Sequence, residues 1–469
     1  MWLSVFIPRN DSIIIRNYGA GVFGICFIYS VMLVLLNNQY NFFEINRFSL
    51  WLSNNLNCLI GIDTLSALFI LLTNLLFLIC IISSYSSITH NQKYFIILLI
   101  TINFFLTCLF SVLDLLYFYI CFESILIPMI VLIGVWGSRQ RRIHAAFQFF
   151  FYTLIGSFGM LSAISMIYSD YFTTNYVLLT NYSISFEKQI LVWICLFLAF
   201  AIKIPMFPFH IWLPEAHVEA PTIGSVLLAG ILLKMGGYGF VRFVVPLLKT
   251  ATEYFTPFLF ALSTLAVLYT SLTAIRQIDL KKIIAYASVS HMNIVVLGLF
   301  NYSVVGFLGS IFLMLSHGIV SSGLFFCVGV LYDRYHTRLL KYFGGLVFVM
   351  PIYAVCFFIL ILSNFSFPGT SNFVGEVLVM YGLVTQNFFC TFFSLLSIVF
   401  TLLYSIWLYN RIFFGRLQTK YLIKFADVSY REFFILLSCV GITIFLGIYP
   451  YFLLSKMEWV TSKIVYNGI

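Results

Sequence analysis

Apolar runs of about 20 residues, enough for a helix to cross about 30 Å of hydrocarbon, recur along the whole chain. The pattern predicts thirteen crossings, at 13–36, 59–83, 94–111, 113–135, 146–168, 189–218, 223–245, 257–275, 281–300, 303–331, 346–391, 393–414 and 433–455. Two of them are interrupted. KIPMFP at 203–208 cannot continue a regular helix, because Pro205 and Pro208 remove donors and clash with the preceding turn. SNFSFPGTS at 363–371 does the same through Pro368 and Gly369. Unpaired backbone at membrane depth is tolerated only inside protein or beside a wet cavity, so both breaks are expected in the interior.

Composition agrees with this reading. Of 469 residues, 62% are hydrophobic and only 9% charged, where a soluble domain carries about 25%. The expectation is an all-α polytopic membrane protein, one membrane body over 1–469 with no linker or low-complexity segment. The opening MWLSVFIPRN lacks the apolar core and cleavage site of a signal peptide. Ten cysteines never come closer than thirteen residues apart, so they read as small core hydrophobes and not as disulfides, iron–sulfur or zinc ligands. No GxxxxGK[ST] or GxGxxG occurs in a strand-to-helix setting, which excludes a nucleotide site of those kinds.

Charge orients the crossings. With 346–391 taken as one broken crossing, 17 Lys and Arg fall on one face, among them Arg9, Arg139, Arg141, Lys281, Lys282, Arg338, Lys420 and Lys424. The other face has 6, including Arg47, Lys188 and Arg242; two crossings there would give 12 against 11. The positive-inside rule favours the broken crossing and puts the basic face in the cytoplasm or mitochondrial matrix. Crossings three to seven (94–245) and eight to twelve (257–414) then form two groups of five, each with its fourth member broken, followed by 433–455. Five is odd, so the second group is inverted, an architecture in which ion-coupled transporters place their sites at the breaks.

Four charges sit at bilayer depth, where each costs at least about 2.5–3.5 kcal/mol and marks an ion path or an internal pair by default. Lys203 lies in LVWICLFLAFAIKIPMFPFHIWL, Lys234 in TIGSVLLAGILLKMGGYGFV, Glu123 in YFYICFESILIPMIVLIGVW and Glu376 in TSNFVGEVLVMYGLV. Glu123 beside Lys203 reads either as a switch that expels a proton when the pair separates or as a static bridge between helices. Lys234 has no evident structural use and reads as a relay station, with Gly236, Gly237 and Gly239 allowing close helix packing. His291 and His317 are embedded, and serve either as proton-passing imidazoles or as hydrogen-bonded core residues. Glu376 follows the second break, at the place assigned by repeat to Lys203. His90, His144 and His336 read as solvated loops, and His210 and His217 as a helix–loop end near the membrane surface. Asp63 and Asp114, near helix starts, read as caps.

The strings IKIPMFPFHIWLPEAHVEAPTIGSVLLAGILLKMGGYGFVRF (202–243), FESILIPM (122–129) and FPGTSNFVGE (367–376) carry a resemblance over about 60–455. They resemble the subunit 4 family of respiratory NADH:ubiquinone oxidoreductase (complex I) in its mitochondrial form, an antiporter-like membrane-arm subunit. The resemblance implies proton translocation coupled to NADH:ubiquinone electron transfer elsewhere in the complex. It implies an inner-membrane location, neighbouring antiporter-like subunits as partners, and no cofactor in this chain; flavin, iron–sulfur clusters and quinone would belong to partner subunits. Glu123, Lys203, Lys234, His291, His317 and Glu376 match the family's proton axis. The alternative is a stand-alone cation/proton antiporter subunit. The family usually begins with one more apolar helix, whereas only MWLSVFIPR precedes 13–36 here, so that helix is expected to be absent or supplied by a separate peptide.

Overall fold

The computed structural model describes residues 12–36, 43–49, 57–418 and 426–466. The opening MWLSVFIPR, with Arg9, and also Lys420 and Lys424, lie outside the described residues.

Among the described residues, eleven helices are long and apolar enough to cross a membrane. In chain order the helices are α1 (Ser12–Leu36), α2 (Thr64–Ser87), α3 (Gln92–Ser111), α4 (Leu115–Trp136), α5 (Arg142–Tyr171), α6 (Phe186–Lys203), α7 (Trp212–Glu219), α8 (Thr222–Leu247), α9 (Lys249–Arg276), α10 (Leu280–Leu299), α11 (Val304–Tyr335), α12 (Pro351–Asn364), α13 (Ser371–Val384), α14 (Phe388–Phe413), α15 (Tyr430–Ile448) and α16 (Tyr451–Tyr466). Pairs α6/α7 and α12/α13 are the two broken crossings, completing thirteen. The groups α3–α8 and α9–α14 each hold five crossings with the fourth broken, so the odd count brings the second group in from the opposite side.

Several ends differ from the expected ones, α9 most, starting at Lys249 in place of 257, and three departures have a local reason. The crossing expected from 59 begins at Thr64, because Asn57–Ile62 (β2) pairs antiparallel with Phe43–Ser49 (β1) in a small hairpin. Asp63 then caps α2, its carboxylate accepting from the Ser66 N–H at 2.8 Å. Crossing α4 is interrupted at Ile125, where Pro128 has no N–H to give the carbonyl one turn back. The last crossing stops at Ile448, and Pro450 opens a separate helix, α16, in place of a continuation to 455.

Burial is graded across the body. Helices α8 and α11 are buried throughout their crossing windows, whereas α14 and α15 bury only a third of theirs. Large apolar side chains such as Phe389, Phe392 and Val399 of α14 are exposed, as expected for a surface that meets lipid tails. The two innermost helices are the ones that carry Lys234 and His317.

Candidate functional site

Helix α8 is irregular on both sides of its lysine. π-helical turns at Leu228–Leu232 and Phe240–Val244 bracket Lys234, and such widened turns leave backbone groups free and recur at functional sites. The Lys234 ammonium donates to the Ala229 carbonyl of the first π turn. Its second partner is His317 Nδ1 of α11, at 2.9 Å. The glycines after it permit this depth: a Cβ on Gly236 would stand 2.7 Å from Ile204 Cγ1 and 3.2 Å from Lys203 Cβ. The α6 and α8 backbones thus approach closely two residues after Lys234, a contact that a residue larger than glycine would push apart.

From His317 the row continues inward. Its ring centroid is 5.5 Å from that of His291, and His291 Nδ1 lies 2.8 Å from Glu376 Oε1, both groups buried. Lys234, His317, His291 and Glu376 therefore form one line across α8, α11, α10 and α13. Around Glu376, Asn372 and Ser371 are buried with side-chain polar atoms that lack a protein partner, a setting that suits ordered water.

The other end of the line differs from expectation. Lys203 and Glu123 do not form an ion pair: the ammonium and Glu123 Oε1 are both without a hydrogen-bond partner. The ammonium instead sits 4.6 Å from the centroid of the Phe122 ring and 5.7 Å from that of Phe149. An aromatic face attracts a desolvated cation by about 2 kcal/mol, and Glu123, on the residue next to Phe122, still lies near enough for the ammonium to feel its charge. Lys203 also stands before its break, as the last residue of α6, while Glu376 stands after its own. The two are therefore not equivalent by repeat.

Several residues read from sequence as peripheral are internal. His217 is fully buried, stacked on Phe325 at 4.7 Å with 6° between the rings, and neither ring nitrogen has a protein partner. It lies near enough to Lys281 and Lys234 to feel their charges. His210 is buried against Phe207 and Tyr269. Lys281 and Arg338, counted as loop charges, are 2% and 1% exposed. Their neighbours in the chain are polar loops, and these loops fold inward onto α7. The signal available was EAHVEAP itself, a second acid-and-histidine cluster adjoining the first break. Outside them, a cavity of about 630 Å³ is lined by Glu215, Glu219, Asp279 and Lys282 among others. His90, His144 and His336 are exposed. Asp114 caps α4 and accepts from Thr174, and Asp63 also holds Arg242 of α8 in a buried ion pair of 2.8 Å.

The family profile described as NADH:quinone oxidoreductase/Mrp antiporter, TM, matches residues 112–402, and that of NADH-ubiquinone oxidoreductase chain 4, amino terminus, matches 17–109. NADH-ubiquinone oxidoreductase chain 4 of Chondrus crispus is 51% identical over 461 residues, covering 98% of this chain and 94% of that one. The chain belongs to the NADH-ubiquinone oxidoreductase chain 4 family. A second family member, from Acanthamoeba castellanii, is 54% identical over 421 residues, 90% of this chain and 85% of its own. Chain 4 architecture is also seen in a chain of respiratory complex I from Thermus thermophilus, with a TM-score of 0.89 and 27% identity over 97% of this chain and 95% of that one. A chain of the Mrp complex from Dietzia shares the fold, with a TM-score of 0.87 at 19% identity over 97% and 94% of the two chains.

Proposed function

We propose that this chain is a proton-translocating, antiporter-like subunit of respiratory complex I, in which Lys203, Lys234, His317, His291 and Glu376 pass protons. The observation that carries the proposal is the hydrogen-bonded Lys234–His317 contact, continued through His291 to Glu376. An ammonium and an imidazole in contact cannot both hold their protons cheaply in a dry interior, so a charge arriving at one end shifts the proton along the line. Such groups titrate as a coupled set. The first charge to move is that of Lys203, poised between the Phe122 ring and Glu123. Electron transfer, with its flavin, iron–sulfur clusters and quinone, takes place in partner subunits, and this chain contributes no redox step. The membrane is the mitochondrial inner membrane, with the basic loops facing the matrix, and other membrane-arm subunits flank the chain.

Replacing Lys234 with Met in the assembled complex tests the reading. The expected result is a normally assembled complex with reduced protons moved per electron; unchanged stoichiometry overturns it. Mild purification followed by mass spectrometry separates the two assemblies. Flavin- and iron–sulfur-bearing subunits accompany the chain on the present reading, and a small set of ion-transport subunits without redox centres would make it a stand-alone cation/proton antiporter.

A further inference from the structure

Helix α7 has eight residues, Trp212–Glu219, between the first break and Pro221. A helix so short is not stable by itself, and its last carbonyls have no intrahelical partner. Here all four are taken, each from a different element. The His217 carbonyl accepts from Ser225 Oγ at 3.0 Å, and the Val218 carbonyl from Arg338. The Glu219 carbonyl accepts from the Ser138 N–H at 3.1 Å, and the Ala220 carbonyl from Lys281 Nζ at 2.7 Å. Lys281 also donates to Ser225 Oγ at 3.2 Å, so one ammonium reaches the backbone of His217 through a single hydroxyl. Two buried cations at the negative end of a helix favour its partial charge, and neither is held by an ion pair among the described residues.

We propose that Lys281 and Arg338 are positioning residues, which seat α7 by its carbonyl end and so hold the His217 ring on Phe325 of α11, the helix that carries the relay's His317. This rests on the proton-relay reading above. Its geometry joins the two halves of the chain. Lys281 is on α10, which also carries His291, and Phe325 is on α11, which also carries His317. Arg338 follows α11 directly, and its carbonyl accepts from the Leu280 N–H at the start of α10. The second repeat therefore grips the half-helix of the first with the same two helices that bear the downstream relay groups. A shift of α10 against α11 would reach His217 through the carbonyl end of α7. No contact to His217's own nitrogens is required.

The test compares Lys281→Met, Lys281→Arg and Ser225→Ala in the assembled complex, with Lys234→Met as reference. The readouts are the amount of complex, turnover, protons per electron and the ratio of turnover in H2O to that in D2O. Misplacing a reacting group by about 1 Å costs of the order of 10²-fold, so Lys281→Met is expected to lower turnover by at least about tenfold and to raise the isotope ratio. Lys281→Arg, which keeps charge and donors, restores most of both. A merely structural lysine would alter the amount of complex and leave the isotope ratio alone. Should Lys281→Met fail to assemble, Ser225→Ala decides: a raised isotope ratio supports the clamp and an unchanged one overturns it. An assembled Lys281→Met with wild-type turnover and isotope ratio overturns it, as does an Arg variant as impaired as Met. If Lys234→Met leaves protons per electron unchanged, the relay reading itself falls; if only the Lys281 variants are silent, the clamp alone falls.

Discussion

The two broken crossings put opposite ends on the same line of charges. At the first, Lys203 closes α6 with its ammonium over an aromatic ring and no hydrogen bond, and Glu123 nearby leaves Oε1 without a partner. At the second, Glu376 of α13 is already closed onto His291 at 2.8 Å, with unpartnered amide and hydroxyl groups around it. A cation held by rings and a carboxylate it does not touch responds readily to a charge that approaches or leaves. A carboxylate bonded to an imidazole keeps its proton arrangement until a competitor arrives. The contrast assigns the receiving role to the first break and the holding role to the second, although both arise from the same prolines-in-helix device.

The sharpest way to break this comparison is one substitution made at both ends. Glu376→Gln removes the charge that His291 faces, and loss of a positioned acid or base costs about 10²-fold. We expect turnover coupled to proton movement to fall on that scale. Glu123→Gln, on a carboxylate bonded to no basic group, should cost far less. Equal losses would show that the open and closed ends do the same work. Next comes the packing that joins α6 to α8. Gly236→Ala puts a methyl 2.7 Å from Ile204 Cγ1 and 3.0 Å from the Phe200 carbonyl, and overpacking of this kind costs about 1–3 kcal/mol. The thermal unfolding temperature of the complex should drop, whereas Gly134→Ala, which meets nothing within 4 Å, should leave it unchanged. Smaller again is Phe122→Leu, which removes a cation–ring attraction of about 2 kcal/mol. The ammonium should then close on Glu123, so that the cost of Glu123→Gln is larger in the Phe122→Leu background than in the wild type. A double-mutant cycle showing no such increase would mean that the ring does not keep the pair apart.

How far all this could be read in the amino-acid sequence depends on which dimension carries the signal. Lys203, Lys234, Glu123 and Glu376 stand out in one dimension, because a charge inside 20 apolar residues is costly whatever surrounds it. The breaks are equally local, since Pro205, Pro208 and Pro368 act on their own turns. Partnership is not local. Lys234 finds His317 83 residues on, and His291 finds Glu376 85 residues on, so the contacts that make a line of these residues have no trace in spacing. Glu123 and Lys203 show the converse, two charges matched by type that form no ion pair, the ammonium lying over the Phe122 ring. His217, Lys281 and Arg338 fail for a third reason. Each lies beside a polar loop, where hydropathy reads surface, and only the inward fold of the 138–141, 277–279 and 336–339 segments over α7 buries them.

That last failure supplies the smallest prediction and the one that isolates burial from charge. Lys281 and Lys282 are adjacent, carry the same charge and both reach toward the segment that follows the first break. Lys282 pairs with Glu215 of α7 at 3.1 Å, with 31% and 40% of the two side chains exposed. Exposed pairs of this kind contribute about 0–1 kcal/mol, because water screens the attraction and two long side chains must be ordered. Lys282→Gln should therefore leave assembly, turnover and isotope ratio within error of wild type, while Lys281→Met next to it does not. If the two variants were equally harmful, the basic face would matter through its summed charge near α7, and the contrast between an open and a closed end would owe nothing to how α7 is seated. A silent Lys282→Gln beside a damaging Lys281→Met instead ties the first break to the backbone carbonyls that only the buried lysine can reach.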